Sequence, residues 1–490
     1  MVRLSRLIGD DAGAPPPIPA DVEISGLTAD SREVGPGYLF AAIPGSRYDG
    51  ADFIDQAVVR GATAVLAPPG VAVPPRGVAL VTDARPRRRL ALMAARFYGA
   101  QPGVVVAVTG TNGKTSVVEF VRQIWRHCGR RAASLGTLGV RGAGRDRPLA
   151  HTTPEPVALH RVLAGLAREG VGYLAIEASS HGLDQCRLDG VRVRCAAFTN
   201  LSRDHLDYHQ DADAYLAVKL SLFERVMEPG GTAVLNADAG MFPRAAAAAE
   251  ARGHRILSYG REGRDIRLVD RSPGDDSQTI ALDLFGRRHV VELPLVGDFQ
   301  ASNALCALGL ALATGCDEEP ALAALGRLAG APGRLERVAR HPLGGQIYVD
   351  YAHTPDALEH ALRALRPHVR GRLVLVFGCG GDRDRGKRPV MGSIAARLAD
   401  RVFVTDDNPR DEDPAAIRGE VLAACPEATE IADRAEAIGV AVSGLGPDDV
   451  LVIAGKGHEQ GQIVGGRLRP FDDGEAARAA VTAVAKGEAS

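Results

Sequence analysis

Short apolar runs rich in Val, Ile and Ala recur along the chain, at Val104–Val108, Tyr173–Ile176, Ala233–Leu235, Leu373–Phe377, Val402–Val404 and Val450–Ala454. Ala/Leu/Arg-rich stretches of helical length separate them. Buried strands alternating with helices predict parallel α/β sheets. Pro/Gly-rich stretches punctuate the chain at Gly13–Pro19, Pro68–Gly77 and Gly326–Gly333, and no internal repeat or heptad pattern stands out. A first boundary is expected near Gly99–Pro102, just ahead of the strand that feeds a glycine turn. A second is expected near Ala331–Gly333, where Ala-Pro-Gly breaks an Ala/Leu-rich helix. The expected division is a small N-terminal domain (1–99), a central nucleotide-binding domain (100–331) and a C-terminal domain of Rossmann-like size (332–490).

Composition narrows the function classes. The 490 residues are 46% hydrophobic and 24% charged, with a net charge of −2. That balance gives no bulk electrostatic case for nucleic acid or an anionic membrane. The apolar stretch Leu305–Ala313 is far too short to span a bilayer, and the N-terminus lacks an apolar core of signal-peptide length. Seven scattered cysteines with no CxxC pair argue for a reducing cytoplasm, against a disulfide framework and against a structural zinc site. Arginine is the default cation: only Lys114, Lys219, Lys387, Lys456 and Lys486 are lysine among 58 basic residues. Four of these five fall in the motifs below, which points to chemistry that needs a compact ammonium or an amine.

The segment VVVAVTGTNGKTSVVEFVRQIW reads as strand, glycine turn and helix. Gly110 and Gly113 let the backbone wrap an anion, Lys114 can reach the β- and γ-phosphates, and Thr115 can hold Mg²⁺ at the helix start. Val108 stands where a strict Walker pattern has its first glycine, so the loop Gly110-Thr111-Asn112-Gly113-Lys114-Thr115, followed by Ser116, is a shorter variant. A phosphate loop alone leaves kinase, motor, GTPase and ligase open. Downstream, Glu177 ends an apparent strand, where a Mg²⁺ ligand is expected. A polar loop then offers Asn200, Asp204, His205, Asp207 and His209. Histidines beside carboxylates can bind a transition metal, but magnesium on ATP takes oxygen ligands with at most one nitrogen, and either histidine can equally be structural.

TGTNGKTS, HTTPE, EASSHGL and NLSRDHLDYH, in this order, resemble the central domain of the Mur ligases. GDFQASNALCAL, APGRLERV, VDYAHTPDAL, GCGGDRDRGKRP, TDDNPR and AGKGHE extend the resemblance to the C-terminal end. GLTADSREVGPGYLFAAIPGSRYDG completes it at the N-terminus. The resemblance implies a three-domain α/β fold with a central phosphate-loop ATPase domain and a C-terminal Rossmann-like domain. It also implies ATP-dependent amide ligation through an acyl phosphate, and the match is to the members that add meso-2,6-diaminopimelate to UDP-N-acetylmuramoyl-L-alanyl-D-glutamate. A cytoplasmic monomer using ATP and Mg²⁺ is expected, with no membrane insertion.

Site residues follow from the same resemblance. Lys219, on an apparent helix Tyr215–Phe223, occupies a position held by a carbamylated lysine; by itself it reads as a surface lysine on an amphipathic helix. As a carbamate it would join Thr115, Glu177 and His205 as metal ligands. Lys114, Glu177, His205 and Lys219 are thus the expected catalytic group. Asn303 is expected at the base, with Arg334, Asp350 and His353 near ribose and phosphates and the chemistry at a domain interface. Ser31, Ser46, Arg47 and Tyr48 match uridine-site positions, and Thr152, Thr153, Ser179, Gln185 and Arg187 match those that hold the muramoyl-peptide. Position 151 is His where some relatives have Asn.

The incoming amine falls to Arg383, Asp407, Asn408, Pro409, Arg410, Gly455 and Glu459. A guanidinium at Arg410 can pair with diaminopimelate's far carboxylate and repel lysine's ammonium, while Glu459 suits the far ammonium. Alone, Asp-Asn-Pro favours a type I turn; with GCGGDRD and GKGHE in register a binding role is expected. The rivals are folylpolyglutamate synthase, which lacks a UDP-sugar domain, a lysine-adding homologue, and a non-catalytic nucleotide-binding scaffold.

Overall fold

The computed structural model describes residues 1–9, 21–45, 48–72, 74, 77–142, 144, 146–202 and 211–487. They divide into two compact units, residues 1–259 with 306–321, and residues 260–305 with 322–490.

In the first unit, β1 (Gly26–Thr28), β2 (Tyr38–Ala41), β3 (Ala62–Ala67) and β4 (Ala79–Thr82) form a parallel sheet in sequential order. Helix α1 (Pro86–Tyr98) follows, with Pro86 in its first turn, where a missing N–H costs nothing, and Gly99 stopping it at φ +70°. The main elements are then β5 (Val104–Thr109), α2 (Lys114–His127), β6 (Ala132–Gly136), β7 (Gly139–Arg141), α3 (Pro156–Arg168), β8 (Tyr173–Glu177), α4 (Ser180–Asp184), β9 (Val193–Phe198), α5 (Ala212–Ser221), β10 (Met227–Asn236) and β11 (Arg255–Gly260). The strand order is β11-β10-β9-β5-β8-β6-β7, parallel except for β6 with β7. Val105, Ala107, Leu174, Ile176, Ala196 and Phe198 are fully buried beside Leu159, Leu163 and Leu166 of α3, so the unbroken apolar runs are explained by cover on both faces. The central strand β5 has β8 on one side and β9 on the other. Its C-terminal end therefore opens into the crevice where such sheets bind ligands.

In the second unit, β12 (Ile266–Pro273), β13 (Gln278–Leu284) and β14 (Arg287–Leu293) make an antiparallel meander whose alternating burial matches a sheet with one covered face. Helix α6 (Asp298–Ala313) begins in this unit, and its residues from Cys306 on belong to the first. The remaining chain gives β15 (Glu336–Arg340), β16 (Gln346–Asp350), α7 (Pro355–Leu365), β17 (Leu373–Phe377), α8 (Lys387–Leu398), β18 (Arg401–Val404), α9 (Pro414–Leu422), β19 (Thr429–Glu430), α10 (Arg434–Ser443), β20 (Val450–Ala454), the ribbon β21 (Gly461–Val464) with β22 (Arg467–Pro470), and α11 (Asp473–Lys486). Its sheet order is β15-β16-β20-β17-β18-β19, parallel except at β15. The side chains of Thr354, Asp413, Asp433 and Asp472 cap the starts of α7, α9, α10 and α11, each satisfying one otherwise orphaned N–H.

Each apolar run singled out in the sequence lies within a strand. Two local expectations are corrected. The helix expected over Tyr215–Phe223 spans Ala212–Ser221 and passes into a π-turn at Leu222–Val226, its start drawn back by the Asp211 cap on Ala214 N–H. The helix expected to run to Ala331 stops at Leu325. Residues 326–335 are irregular because the glycines and Pro332 do not sustain a helix. All seven cysteines are thiols, and no helix among the described residues is long and apolar enough to cross a membrane.

Candidate active site

The glycine turn after β5 is held open by contacts that only a bare backbone permits. Gly110 has φ +144°, and a Cβ there would lie 1.9 Å from the Thr199 hydroxyl. Thr111 N–H donates to the Asn200 carbonyl at 2.9 Å and Asn112 N–H to the Asn200 side chain at 2.9 Å, so the end of β9 braces the loop. Gly113, left-handed at φ +86°, precedes α2. The N-terminal N–H groups of that 14-residue helix and its dipole meet at the loop. Lys114 Nζ donates to the carbonyls of Gly110 and Thr111 at 2.9 and 2.8 Å, curling over the loop. Ser116 is buried at the start of α2.

Glu177, at the C-terminal end of β8, is 1% exposed. Its Oε2 accepts from the Thr115 hydroxyl at 3.1 Å and its Oε1 from Thr137 N–H at 2.8 Å. Oxygen donors of this kind at a phosphate loop suit a hard divalent cation. Gly136 leaves room for the carboxylate, since a Cβ there would meet Oε1 at 2.1 Å. Lys219 is 1% exposed, which overturns the surface-lysine alternative. Its Nζ donates to the Gly110 carbonyl at 2.8 Å and lies 4.4 Å from the Tyr215 ring centroid. Thr115, Glu177 and Lys219 thus gather at one loop. His205, with Asp204, Asp207 and His209, lies outside the described residues.

Around the end of β8, Thr153 Oγ1 donates to the Glu177 carbonyl at 2.8 Å and accepts from Ser179 N–H at 3.1 Å. Ser179 caps α4. Arg187 donates to the Thr153 carbonyl at 2.7 Å, holds Gln185 Oε1 and pairs with Glu155. Thr152 Oγ1 lies 3.2 Å from Thr137 Oγ1. A cavity of about 720 Å³ in the same unit is lined by Thr28, Asp30, Glu33, Tyr38, Arg87, Tyr98, Arg161 and Gln185. Asp30 and Glu33 bracket Ser31, whose own hydroxyl turns instead to Gln56 Oε1 at 2.6 Å. Tyr48 is exposed, its ring edge-on to Phe53. Ser46 and Arg47 lie outside the described residues. Arg87 and Arg161 carried no motif, so only folding reveals them on this cavity.

In the second unit the Arg334 guanidinium stacks 4.7 Å above the Tyr351 ring, which also contacts His353 and His458. Asp350 accepts from Leu335 N–H at 2.7 Å and Ala352 N–H at 2.9 Å. Burial pushes its carboxyl up to about 6, against the pull of Arg334 and those two donors. Burial lowers His353 and brings His458 down to about 4, so both rings are neutral near pH 7. Lys387 donates to the His353 carbonyl at 2.8 Å. Asn303 donates to Gln300 Oε1, and Gln300 reaches the Arg334 carbonyl.

The Asp407–Arg410 turn lies beyond β18. Arg410 has φ +54°, a left-handed conformation that costs a non-glycine residue about 1 kcal/mol or more. Its N–H donates to the Ile463 carbonyl and its carbonyl accepts from Gly465 N–H, which ties the turn to the β21 ribbon. The guanidinium donates to the Gly381 carbonyl at 2.6 Å. The neighbouring Arg383 donates to the Asp382 carbonyl at 3.4 Å. Gly455, at φ +115°, admits Asp407, whose Oδ2 would lie 2.6 Å from a Cβ there. Asn408 Nδ2 donates to Glu459 Oε2 at 3.0 Å. Asp407, Asn408, Gly455 and Glu459 therefore converge although up to 52 positions separate them. Lys456, which sequence inspection singled out only as a rare lysine, sits at the same point.

A strand–glycine turn–helix with a carboxylate at the next strand's end, in a chain that carries a second parallel sheet, defines a phosphate-loop nucleotide-binding protein of the α/β class. Three family matches refine this: Mur ligase family, catalytic domain, over residues 23–98, Mur ligase middle domain over 108–311, and Mur ligase, glutamate ligase domain, over 333–457. The chain belongs to the Mur ligase family of ATP-dependent ligases. It is 53% identical over 487 residues to the UDP-N-acetylmuramoyl-L-alanyl-D-glutamate--2,6-diaminopimelate ligase of Bradyrhizobium diazoefficiens, covering 98% of this chain and 99% of that one. The Caulobacter vibrioides ligase of the same name is 53% identical over 463 residues, covering 93% and 95%. A solved structure of a ligase of that name superposes with a TM-score of 0.73 at 34% identity, covering 94% and 95%. The fold is shared with the MurF ligase of Thermotoga maritima in complex with ADP, at a TM-score of 0.60, 20% identity and coverage of 94% and 97%.

Proposed function

We propose that this ligase joins meso-2,6-diaminopimelate to the D-glutamyl carboxylate of UDP-N-acetylmuramoyl-L-alanyl-D-glutamate, with ATP as the source of activation. One observation carries the reaction class: a phosphate loop whose Thr115 hydroxyl meets the buried Glu177 carboxylate at 3.1 Å. Near-full-length likeness to ligases named for diaminopimelate, and a guanidinium at Arg410, favour this amine over lysine.

The loop amides of Thr111 to Ser116 and the α2 dipole would cradle ATP's phosphates. Lys114 would swing from its two loop carbonyls to the transferring phosphoryl group and neutralise developing charge. Thr115 and Glu177, with His205 and a carbamate on Lys219, have the oxygen-rich donor chemistry for Mg²⁺, which when bound supplies charge neutralisation on the phosphate oxygens. A carboxylate does not condense with an amine in water near neutrality. Transfer of the γ-phosphoryl group makes an acyl phosphate, and the amine displaces phosphate through a tetrahedral intermediate. Asn303, Arg334, Asp350 and His353 would hold the nucleoside, with the stacked Arg334–Tyr351 pair as its platform.

The roughly 720 Å³ cavity suits the UDP-sugar, with Arg87 and Arg161 as diphosphate partners. Thr152, Thr153, Ser179, Gln185 and Arg187 would align the muramoyl-peptide beside the loop. Arg383, Asp407 to Arg410, Gly455 and Glu459 would receive the diaminopimelate. The division at 1–99, 100–331 and 332–490 assigns these tasks to UDP-sugar, ATP and amino acid in turn.

Phosphate release from ATP, measured with UDP-muramoyl-dipeptide and a panel of amino acids, tests the assignment. Turnover with meso-diaminopimelate well above that with lysine is expected. Equal or better turnover with lysine would refute it.

A further inference from the structure

The rare lysines flagged in the sequence include one that the functions above leave unused. Lys456 follows β20 and is 0% exposed. Its Nζ donates to Asn408 Oδ1 at 3.1 Å and to Glu459 Oε2 at 3.2 Å. Asn408 Oδ1 also accepts from Ile463 N–H at 2.9 Å, while Asn408 Nδ2 donates to the same Glu459 Oε2 at 3.0 Å. Two donors converge on the amide oxygen, so the amide has one orientation, with its nitrogen toward Glu459. Glu459 is thereby fixed through Oε2, one buried ammonium and one amide holding it, and its side chain keeps 36% exposure for a ligand.

We propose that Lys456 is a positioning and specificity-determining residue: it orients Asn408 and Glu459 and offsets the Glu459 charge, so that the amino-acid site does not become a general cation trap. The inference rests on the amino-acid site assigned above. Its logic is a difference in charge between two amines. The far end of diaminopimelate is a zwitterion of net charge zero, whereas the far end of lysine is a cation. A Glu459 carboxylate without its internal partner would attract lysine's ammonium more strongly than it attracts the neutral far end. With Lys456 in place, Glu459 accepts an ammonium only when a carboxylate accompanies it to reach Arg410. A buried lysine that merely fills space would give no such sign, since disturbing it would weaken both amines alike.

The test is the ratio of kcat/KM for lysine to kcat/KM for meso-diaminopimelate, in the full chain and in two single variants of opposite charge effect. Lys456→Gln makes the site one unit more negative, and the ratio should rise by about tenfold or more, chiefly through the two amino-acid KM values. The KM for ATP and for UDP-muramoyl-dipeptide should stay within about twofold, since no bond from Lys456 reaches those sites. Glu459→Gln makes the site one unit more positive with Lys456 intact, and the ratio should fall below that of the unaltered protein. Opposite shifts support the proposal. If Lys456→Gln lowers both amines equally, or the two variants shift the ratio the same way, it is overturned. Should Lys456→Gln fail to fold, an unchanged ratio in Glu459→Gln overturns it and a lowered ratio supports it. The unaltered protein reports separately on the assigned reaction: if it prefers lysine at the outset, that assignment fails, whereas the charge-directed shifts still judge Lys456.

Discussion

The phosphate loop of the first unit and the amino-acid site proposed in the second would hold a charged ligand in different ways. The loop is nearly all main chain: glycine turn, helix N-terminus and a strand-end brace occupy consecutive positions, with Thr115 and Glu177 added at one edge. The proposed amino-acid site is nearly all side chain, tied together by Asn408 and a left-handed Arg410 from one loop and Lys456 and Glu459 from another. Main-chain donors are fixed once the strand and helix exist, and they read phosphate without regard to what carries it. Side-chain groups must be oriented by one another, and that dependence would let them discriminate between amines.

The sharpest way to break the comparison is Lys114→Ala. Its ammonium donates to the Gly110 and Thr111 carbonyls of the loop that would cradle phosphate, and ATP-dependent phosphate release should fall by about 10³-fold or more, with a small change in the thermal midpoint. A large drop in midpoint would mean that the loop leans on Lys114 for its shape.

In the second unit the strongest expected effect is on stability. Arg434 and Asp473 are both 0% exposed and paired through two bonds of 2.7 and 2.8 Å, and Arg434 also donates to the Ala454 carbonyl at the end of β20. Asp473→Ala leaves a buried guanidinium without its carboxylate, and should cost about 3–5 kcal/mol in urea unfolding. A loss below about 1 kcal/mol would show that water reaches the pair.

Arg410→Gly separates strain from recognition. Glycine tolerates φ +54°, so the midpoint should hold or rise slightly, whereas kcat/KM for diaminopimelate should fall by about 100-fold with the KM for ATP unchanged. Equal losses for diaminopimelate and lysine would deny Arg410 a selective role.

The smallest effects lie in pH dependence, and they run in opposite senses in the two units. Asp350 has a folded pKa raised to about 6 by burial from an ordinary 3.8. Its contribution to stability is full below 3.8 and is lost as pH rises through about 6. Its two N–H donors favour the carboxylate, so nucleotide KM should rise as pH falls below about 6, and Asp350→Asn should flatten that limb. His160, on the buried face of α3, is lowered by burial to about 4 from 6.5. Its contribution is full above 6.5 and is lost as pH falls toward 4. Unfolding midpoints of Asp350→Asn and His160→Asn, each compared with the unaltered chain from pH 4 to 8, should diverge with opposite slopes. Parallel slopes would mean that neither group is buried in solution as it is here.

Sequence alone determined what local pattern and short spacing encode. The apolar runs marked the strands buried on both faces, and Gly110 to Ser116 marked the turn and helix, because backbone geometry there depends on residues adjacent in the chain. The motifs in register also marked Glu177, Asn408, Arg410 and Glu459 as a set. Only tertiary structure decided that Lys219 is buried against the Gly110 carbonyl rather than on a surface, since a helix's inner face depends on what packs there. Packing likewise turned Ser31 to Gln56, brought Arg87 and Arg161 to one cavity, and put Lys456 between Asn408 and Glu459. In each case at least one partner lies tens of residues away, as Asn408 does from Lys456, so that contact's energy exists only once the sheets have brought the segments together.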